Sequence, residues 1–219
     1  MDKSTLARYF DHTILKAFAT ESHVRRVCRE AVSHGFFAVC VNPCHVPLVV
    51  AELQGTGVKA CSVVGFPLGA NHSEIKAKEA ALAVKQGAAE IDMVMAVGKM
   101  KQGLTSAVEA DIKTVVEATR PAIVKVIVET CYLEQAEKVT ACKAVESAGA
   151  KFVKTSTGFG PAGATVEDVA LMRDTVSPHV KIKASGGIGT LNDALSFIEA
   201  GAHRLGASAG VGIIAEIDG

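Results

Sequence analysis

Strand-like and helix-like segments alternate along the whole chain, and that alternation restricts it to a parallel α/β architecture. The strands read around Asp11–Leu15, Phe36–Val41, Val58–Gly65, Glu90–Val97, Ile123–Glu129, Lys151–Thr155, Val180–Ala184 and Ala202–Ala207. Helical patterns lie between them. One runs from Gly103 to Thr119, with Leu104, Val108, Ile112 and Val115 on one face. Another starts at Thr190, with Leu191, Leu195 and Ile198 on one face. Thr165 and Thr190 each precede an Asp by three residues, a capping-box-like start. Gly35, Gly57, Gly87, Gly149 and Gly201 mark helix ends ahead of a strand. Eight βα units in 219 residues fit a (β/α)8 TIM barrel, with residues 1–219 as one catalytic domain. An open doubly wound sheet would place a glycine-rich loop after the first strand, where this chain has DHTILKAFATES.

Three lysines occupy the same place in successive units. Lys125, Lys154 and Lys183 stand 29 residues apart, each in an apolar, β-rich run. Lysine is poor in strands and costly to bury, so the set implies an ion-pair network or amine chemistry. Side chains alternate along a strand. The parity that turns Lys154 inward also turns in Phe152 and Ser156. On the neighbouring strands it turns in Lys125, Ile127 and Glu129; Lys181, Lys183 and Ser185; and Glu90, Asp92 and Val94. Cys40 and Asn42 share a face, as do Asp11 and Thr13. Asp92 and the three lysines are therefore expected in one pocket, at the strand ends where barrels of this kind do chemistry.

A lysine attacks a carbonyl only as a neutral amine, which requires lowering its pKa by roughly 3 units, or about 4 kcal/mol. A second ammonium about 6 Å away supplies about 2.8 kcal/mol at an effective dielectric of about 20. Desolvation supplies the rest. The residues alone do not choose among the three lysines, although repulsion from both sides favours Lys154. Asp92 is expected to stand off the nucleophile and to hold a water or the charged lysine as a proton shuttle.

Gly186-Gly187, the run from Gly206 to Gly210, and Gly158 with Gly160 follow three of the last strands, a pattern that suits an anion bound by backbone N–H groups. GFGPAG at 158–163 matches a dinucleotide pattern by letter. The acidic residue that reading requires about 20 positions on is replaced by Lys181 and Lys183. Cys40, Cys44 and His45 form a metal-like fragment without a fourth ligand. The 23 basic and 23 acidic residues balance, which argues against nucleic acid or an anionic membrane as partner. No apolar run approaches the roughly 20 residues that span a bilayer, and the polar N-terminus lacks a signal-peptide pattern. A soluble cytoplasmic protein is expected.

Several segments carry a resemblance: DHTIL (11–15), VCVNPCHV (39–46), VVGFPLG (63–69), EIDMVM (90–95), KVIVET (125–130), KTSTGFG (154–160), KASGGI (183–188) and LGASAG (205–210). Together they resemble the deoxyribose-phosphate aldolase family across essentially the whole chain. The resemblance implies a barrel, no cofactor, and cleavage of 2-deoxy-D-ribose 5-phosphate to acetaldehyde and D-glyceraldehyde 3-phosphate. Lys154 resembles the Schiff-base lysine, Lys183 the lysine that depresses its pKa, and Asp92 the proton-relay carboxylate. Lys125 is given a supporting role, paired with Glu129 or Asp92. Cys40 matches a pocket cysteine dispensable for the chemistry, and Gly158, Gly186, Gly187 and Ser208 match positions around the phosphate. Gly189 and Ala209 depart from the arginine and serine of many relatives, which leads to an expectation of weaker preference for the phosphorylated substrate. Some relatives use a C-terminal tyrosine; the sequence ends Ile217-Asp218-Gly219, and that element is expected to be missing. The resemblance allows a homodimer. A sugar-phosphate isomerase or a non-catalytic sugar-phosphate sensor are the alternatives.

Overall fold

The computed structural model describes residues 1–218; Gly219, at the end compared with the tyrosine-bearing relatives, lies outside them. Eight parallel strands close in chain order into a barrel. They are β1 Phe10–Ile14, β2 Ala38–Val41, β3 Lys59–Val64, β4 Glu90–Val94, β5 Ile123–Ile127, β6 Phe152–Lys154, β7 Lys181–Ser185 and β8 Arg204–Ala207. Helices α1 Lys3–Ala7, α2 Glu21–His34, α3 Val46–Glu52, α4 Ser73–Lys85 and α5 Val97–Lys101 accompany the first half. Helices α6 Thr105–Thr119, α7 Gln135–Ser147, α8 Val166–Thr175, α9 Leu191–Glu199 and α10 Gly210–Ala215 accompany the second.

All eight expected strands are present, most of them shorter than read. β4 stops at Val94 because Val97 already opens α5, and β5 stops two residues before Glu129, whose φ is 55°. A non-glycine residue in the left-handed region cannot continue a strand. Thr165 and Thr190 cap α8 and α9, each hydroxyl accepting an N–H at 3.1 Å, and Asp193 returns the bond to the Thr190 N–H at 3.0 Å. Each cap is worth roughly 1 kcal/mol. Gly35 closes α2 in the left-handed conformation, whereas Gly57 lies five residues beyond the end of α3. The expected face of α6 holds for Val108, Ile112 and Val115, which are fully buried. Leu104 precedes that helix and is 48% exposed. On α9 the buried residues are Ala194 and Phe197, and Leu195 turns toward solvent.

Side chains pointing outward from the barrel, such as Val39, Ile91, Val126, Val153 and Ile182, form the main core against the helices. The interior is divided. Ala38, Cys40, Cys61 and Val63 of β2 and β3 form a separate apolar cluster, and the inward positions of β4 to β8 carry charge.

Candidate active site

Register brings the lysines together. Asp92 pairs across the sheet with Lys125, Ile127 with Lys154, and Lys154 with Lys183. Neighbouring strands lie about 4.8 Å apart, so side chains of one parity converge at the axis. Asp92 Oδ1 accepts from Lys125 Nζ at 2.7 Å, and its Oδ2 accepts from both Lys154 Nζ and Lys183 Nζ at 2.7 Å. All four residues are at most 3% exposed.

This contact corrects one expectation and decides between the two partners offered for Lys125. Asp92 does not stand off from Lys154 but touches it, because one carboxylate offers about four lone-pair sites and three ammonium groups share it. Of the two partners expected for Lys125, Asp92 is the one it meets, and Glu129 is not. Lys125 also meets Glu90 at 2.6 Å and Asp11 at 3.4 Å. Glu129 instead turns to the β6 loop, where its carboxylate accepts from the Thr157 N–H at 3.1 Å and the Thr157 hydroxyl at 2.5 Å.

Three residues of this lattice were not assigned from sequence. Asp11 accepts from Lys183 and, at 2.6 Å, from Arg204 Nη1, which also reaches Glu90 at 3.2 Å. The Arg204 guanidinium lies 3.4 Å over the Phe37 ring. Parity along β8 could have revealed Arg204, since it shares a face with Gly206. Four cations thus face three carboxylates. Among the described residues the compensation is uneven: Lys125 has three carboxylate partners, Lys183 has two, and Lys154 has only Asp92.

Burial opposes ionisation of Asp92, but Lys125, Lys154 and Lys183 outweigh it and hold the carboxyl well below its usual range. Asp11 is held low in the same way by Lys125, Lys183 and Arg204. Burial likewise opposes the charges on Lys183 and Lys125, and the carboxylates override it and raise both above the ordinary lysine value. Cys40 stands beside the charges without an ion partner, and a hydrogen bond from Cys61 lowers its thiol pKa. Burial pushes the Cys61 thiol well up. The Cys40 and Cys61 sulfurs and an Asp92 oxygen lie within 4.8 Å of one another. The ammonium groups that already occupy Asp92 oppose a metal cation there.

A cavity of about 630 Å³ opens at the strand ends. Gly158, Gly186, Gly187, Gly206 and Ser208 line one wall of it, so the expected anion positions come together. Asp92 and the three lysines sit one layer deeper, within the strands. The two levels meet at Gly206, where a Cβ would lie 3.1 Å from Lys183 Cε. Gly163 and Gly186 allow the β6 and β7 loops to touch; a Cβ on Gly163 would fall 2.2 Å from the Gly186 carbonyl oxygen. Ala164 N–H donates to the Ser185 and Gly186 carbonyls at 3.1 Å. Ser156, two residues beyond Lys154, is buried, and its hydroxyl has no partner among the described residues.

A buried carboxylate clamped by amines beneath a glycine-lined cavity suits imine chemistry on an anionic carbonyl substrate. Comparison with known proteins points the same way. Residues 5–215 match the model of the DeoC/LacD aldolase family. A protein of Aciduliprofundum boonei named deoxyribose-phosphate aldolase is 56% identical, covering 100% of this chain and 99% of its own. One of Clostridium kluyveri with the same name is 55% identical over 98% of this chain and 99% of its own. Among solved structures, an aldolase called QR15 superposes with a TM-score of 0.93 at 42% identity, over 97% of this chain and 95% of that one. The deoxyribose phosphate aldolase of Aeropyrum pernix, described as a unique tetramer, gives 0.92 at 32% identity, over 99% and 92%.

Proposed function

The chain belongs to the DeoC/LacD family of aldolases, and on that premise we propose how its geometry works. It is a class I aldolase that reversibly cleaves 2-deoxy-D-ribose 5-phosphate to D-glyceraldehyde 3-phosphate and acetaldehyde. The observation that carries the residue roles is the sharing of Asp92 by three lysines of unequal compensation. Lys154 has the fewest carboxylate partners, and it alone of the three has measurable exposure, at 3%. Its charge is the least compensated, and it is the amine that reacts.

Neutral Lys154 adds to the aldehyde carbon of the open-chain sugar, and loss of water gives an imine. Protonated, the imine accepts the electron pair of the C2–C3 bond. A water held by Asp92 and Lys183 takes the C3 hydroxyl proton and relays it onward. The bond breaks, and the C3–C5 fragment leaves as glyceraldehyde 3-phosphate. The enamine on Lys154 is reprotonated at carbon and hydrolysed to acetaldehyde. Lys183 keeps positive charge beside the amine, and Lys125 holds Asp92 in place. Gly158, Gly186, Gly187 and Ser208 receive the phosphate, and Cys40 packs beside the reacting groups without joining the chemistry.

The reading takes residues 1–219 as one catalytic barrel that needs no cofactor. It acts on sugar phosphate and aldehydes in the cytoplasm. Six free thiols support a reducing compartment. Among the described residues no helix is long and apolar enough to cross a membrane.

Borohydride reduction in the presence of acetaldehyde, followed by peptide mass mapping, tests the assignment. An ethyl adduct on Lys154 alone is expected. An adduct on Lys125 or Lys183 would exchange the roles, and a folded protein with no adduct would end the imine mechanism.

A further inference from the structure

The two walls of the cavity differ in charge. The wall formed by the loops after β6, β7 and β8 offers glycines, backbone N–H groups and the Ser208 hydroxyl, but no cationic side chain. Position 189, which follows the Gly186-Gly187 turn, is itself glycine. A phosphate seated on that wall alone would keep its two negative charges unmatched. The rest of the lining comes from the β1–α2 connection and the first turns of α2, next to β8 in the closed barrel, and it carries Lys16 and Arg26.

Side-chain contacts link Arg26 to β1. Arg26 Nη1 donates to Glu30 Oε1 at 3.3 Å, and Glu30 Oε2 bonds His12 Nε2 at 2.7 Å. His12 is 2% exposed and lines the same cavity. Its Nδ1 has no partner among the described residues, and it lies 3.5 Å from where a Cβ on Gly210 would stand. Arg26 thus stands at the end of a run of contacts through Glu30 to His12, which lies beside Gly210. Its link to Glu30 is an exposed pair of the kind that contributes little, so the guanidinium can turn to an arriving anion at small cost. A guanidinium also meets phosphate in a two-pronged geometry.

We propose that Lys16 and Arg26 are the specificity-determining cations for the substrate's 5-phosphate, closing over an anion that rests on Gly186, Gly187 and Ser208. This deepens the aldolase reading and rests on it. It also revises the expectation drawn from Gly189, because the positive charge comes from the β1–α2 segment instead.

The test compares kcat/KM for 2-deoxyribose 5-phosphate and for free 2-deoxyribose in Lys16→Ala, Arg26→Ala and the double variant. Titration with inorganic phosphate, followed by phosphorus NMR, runs alongside. The ratio of phosphorylated to free sugar falls roughly ten- to hundred-fold in each single variant, the scale of a charge-assisted contact, and further in the double. Inorganic phosphate binding weakens in step. Arg26→Lys keeps a larger share of the ratio than Arg26→Ala. Adding Gly189→Arg to Arg26→Ala restores part of it, since a Cβ at 189 meets nothing closer than Asp193 Oδ2 at 3.9 Å. An unchanged ratio with unchanged phosphate binding would overturn the proposal. So would an equal loss on both sugars with phosphate binding intact. Should the wild type neither cleave the sugar nor trap acetaldehyde, weakened phosphate binding in the variants would still uphold the anion site, and only the aldolase reading would fall.

Discussion

Two buried lysines in this protein live under opposite rules. Lys76, on the inner face of α4, is fully buried between the barrel and α6. It has one carboxylate, Asp111 at 2.7 Å, and donates to the Val94 carbonyl at 3.0 Å. Asp111 has no other ion partner among the described residues. Lys154 also has one carboxylate, but Asp92 serves two more lysines. The first pair is closed, one charge against one. The second belongs to a lattice with more cations than carboxylates. A closed pair holds structure together, and a lattice in which charge is shared can release a proton without leaving a carboxylate alone.

The largest test of that contrast is on activity. Lys154→Leu should reduce turnover to background, a loss of roughly 10⁴-fold or more, because their carboxylate partners keep the neighbouring amines, Lys125 and Lys183, charged. Asp92 keeps Lys125 and Lys183, so the stability of this variant should stay within about 1 kcal/mol of wild type by urea denaturation. Substantial residual cleavage would remove Lys154 from its role.

The converse is expected at the closed pair. Lys76→Met strands Asp111 in the core and should cost about 3–5 kcal/mol, while Lys76→Met with Asp111→Leu recovers most of it. If the single variant melted like wild type, the pair would not be closed as described.

A smaller effect separates the two regions by the sign of their pH dependence. Burial depresses the Lys76 pKa against the pull of Asp111, so the folded protein binds fewer protons there than the unfolded chain. Wild-type stability should therefore rise relative to the Met–Leu double variant as pH climbs toward 10.5, by at most about 1.4 kcal/mol per pH unit. Lys125 and Lys183 have raised pKa values, so their stabilisation is complete below 10.5 and is lost as pH climbs through their folded values. A wild-type to double-variant difference that stays flat between pH 8 and 10.5 would place the two lysine sites under one rule.

Both lysine environments bear on what a sequence shows. The 29-residue spacing and strand parity made Lys125, Lys154, Lys183 and Asp92 legible as one group, because both periods are local properties of the chain. Lys76 was not legible. It shares α4 with Lys78 and Lys85, and only packing distinguishes the buried one. Glu129 was placed inward by parity and offered beside Asp92 as a partner for Lys125, but a positive φ just past the end of β5 redirects it to Thr157.

The sequence by itself determined the order of strands and helices, the inward parity of the reactive residues, and the glycine loops after the last strands. Each depends on neighbours a few residues away. Only the tertiary structure decided that Asp11 and Arg204, 193 residues apart, share an ion pair, and that Asp92 touches Lys154, which it was expected to avoid. Barrel closure joins β1 to β8, and the interior then holds so many cations that each carboxylate must serve several. That balance depends on the distances between all of the charges at once, which no local period records.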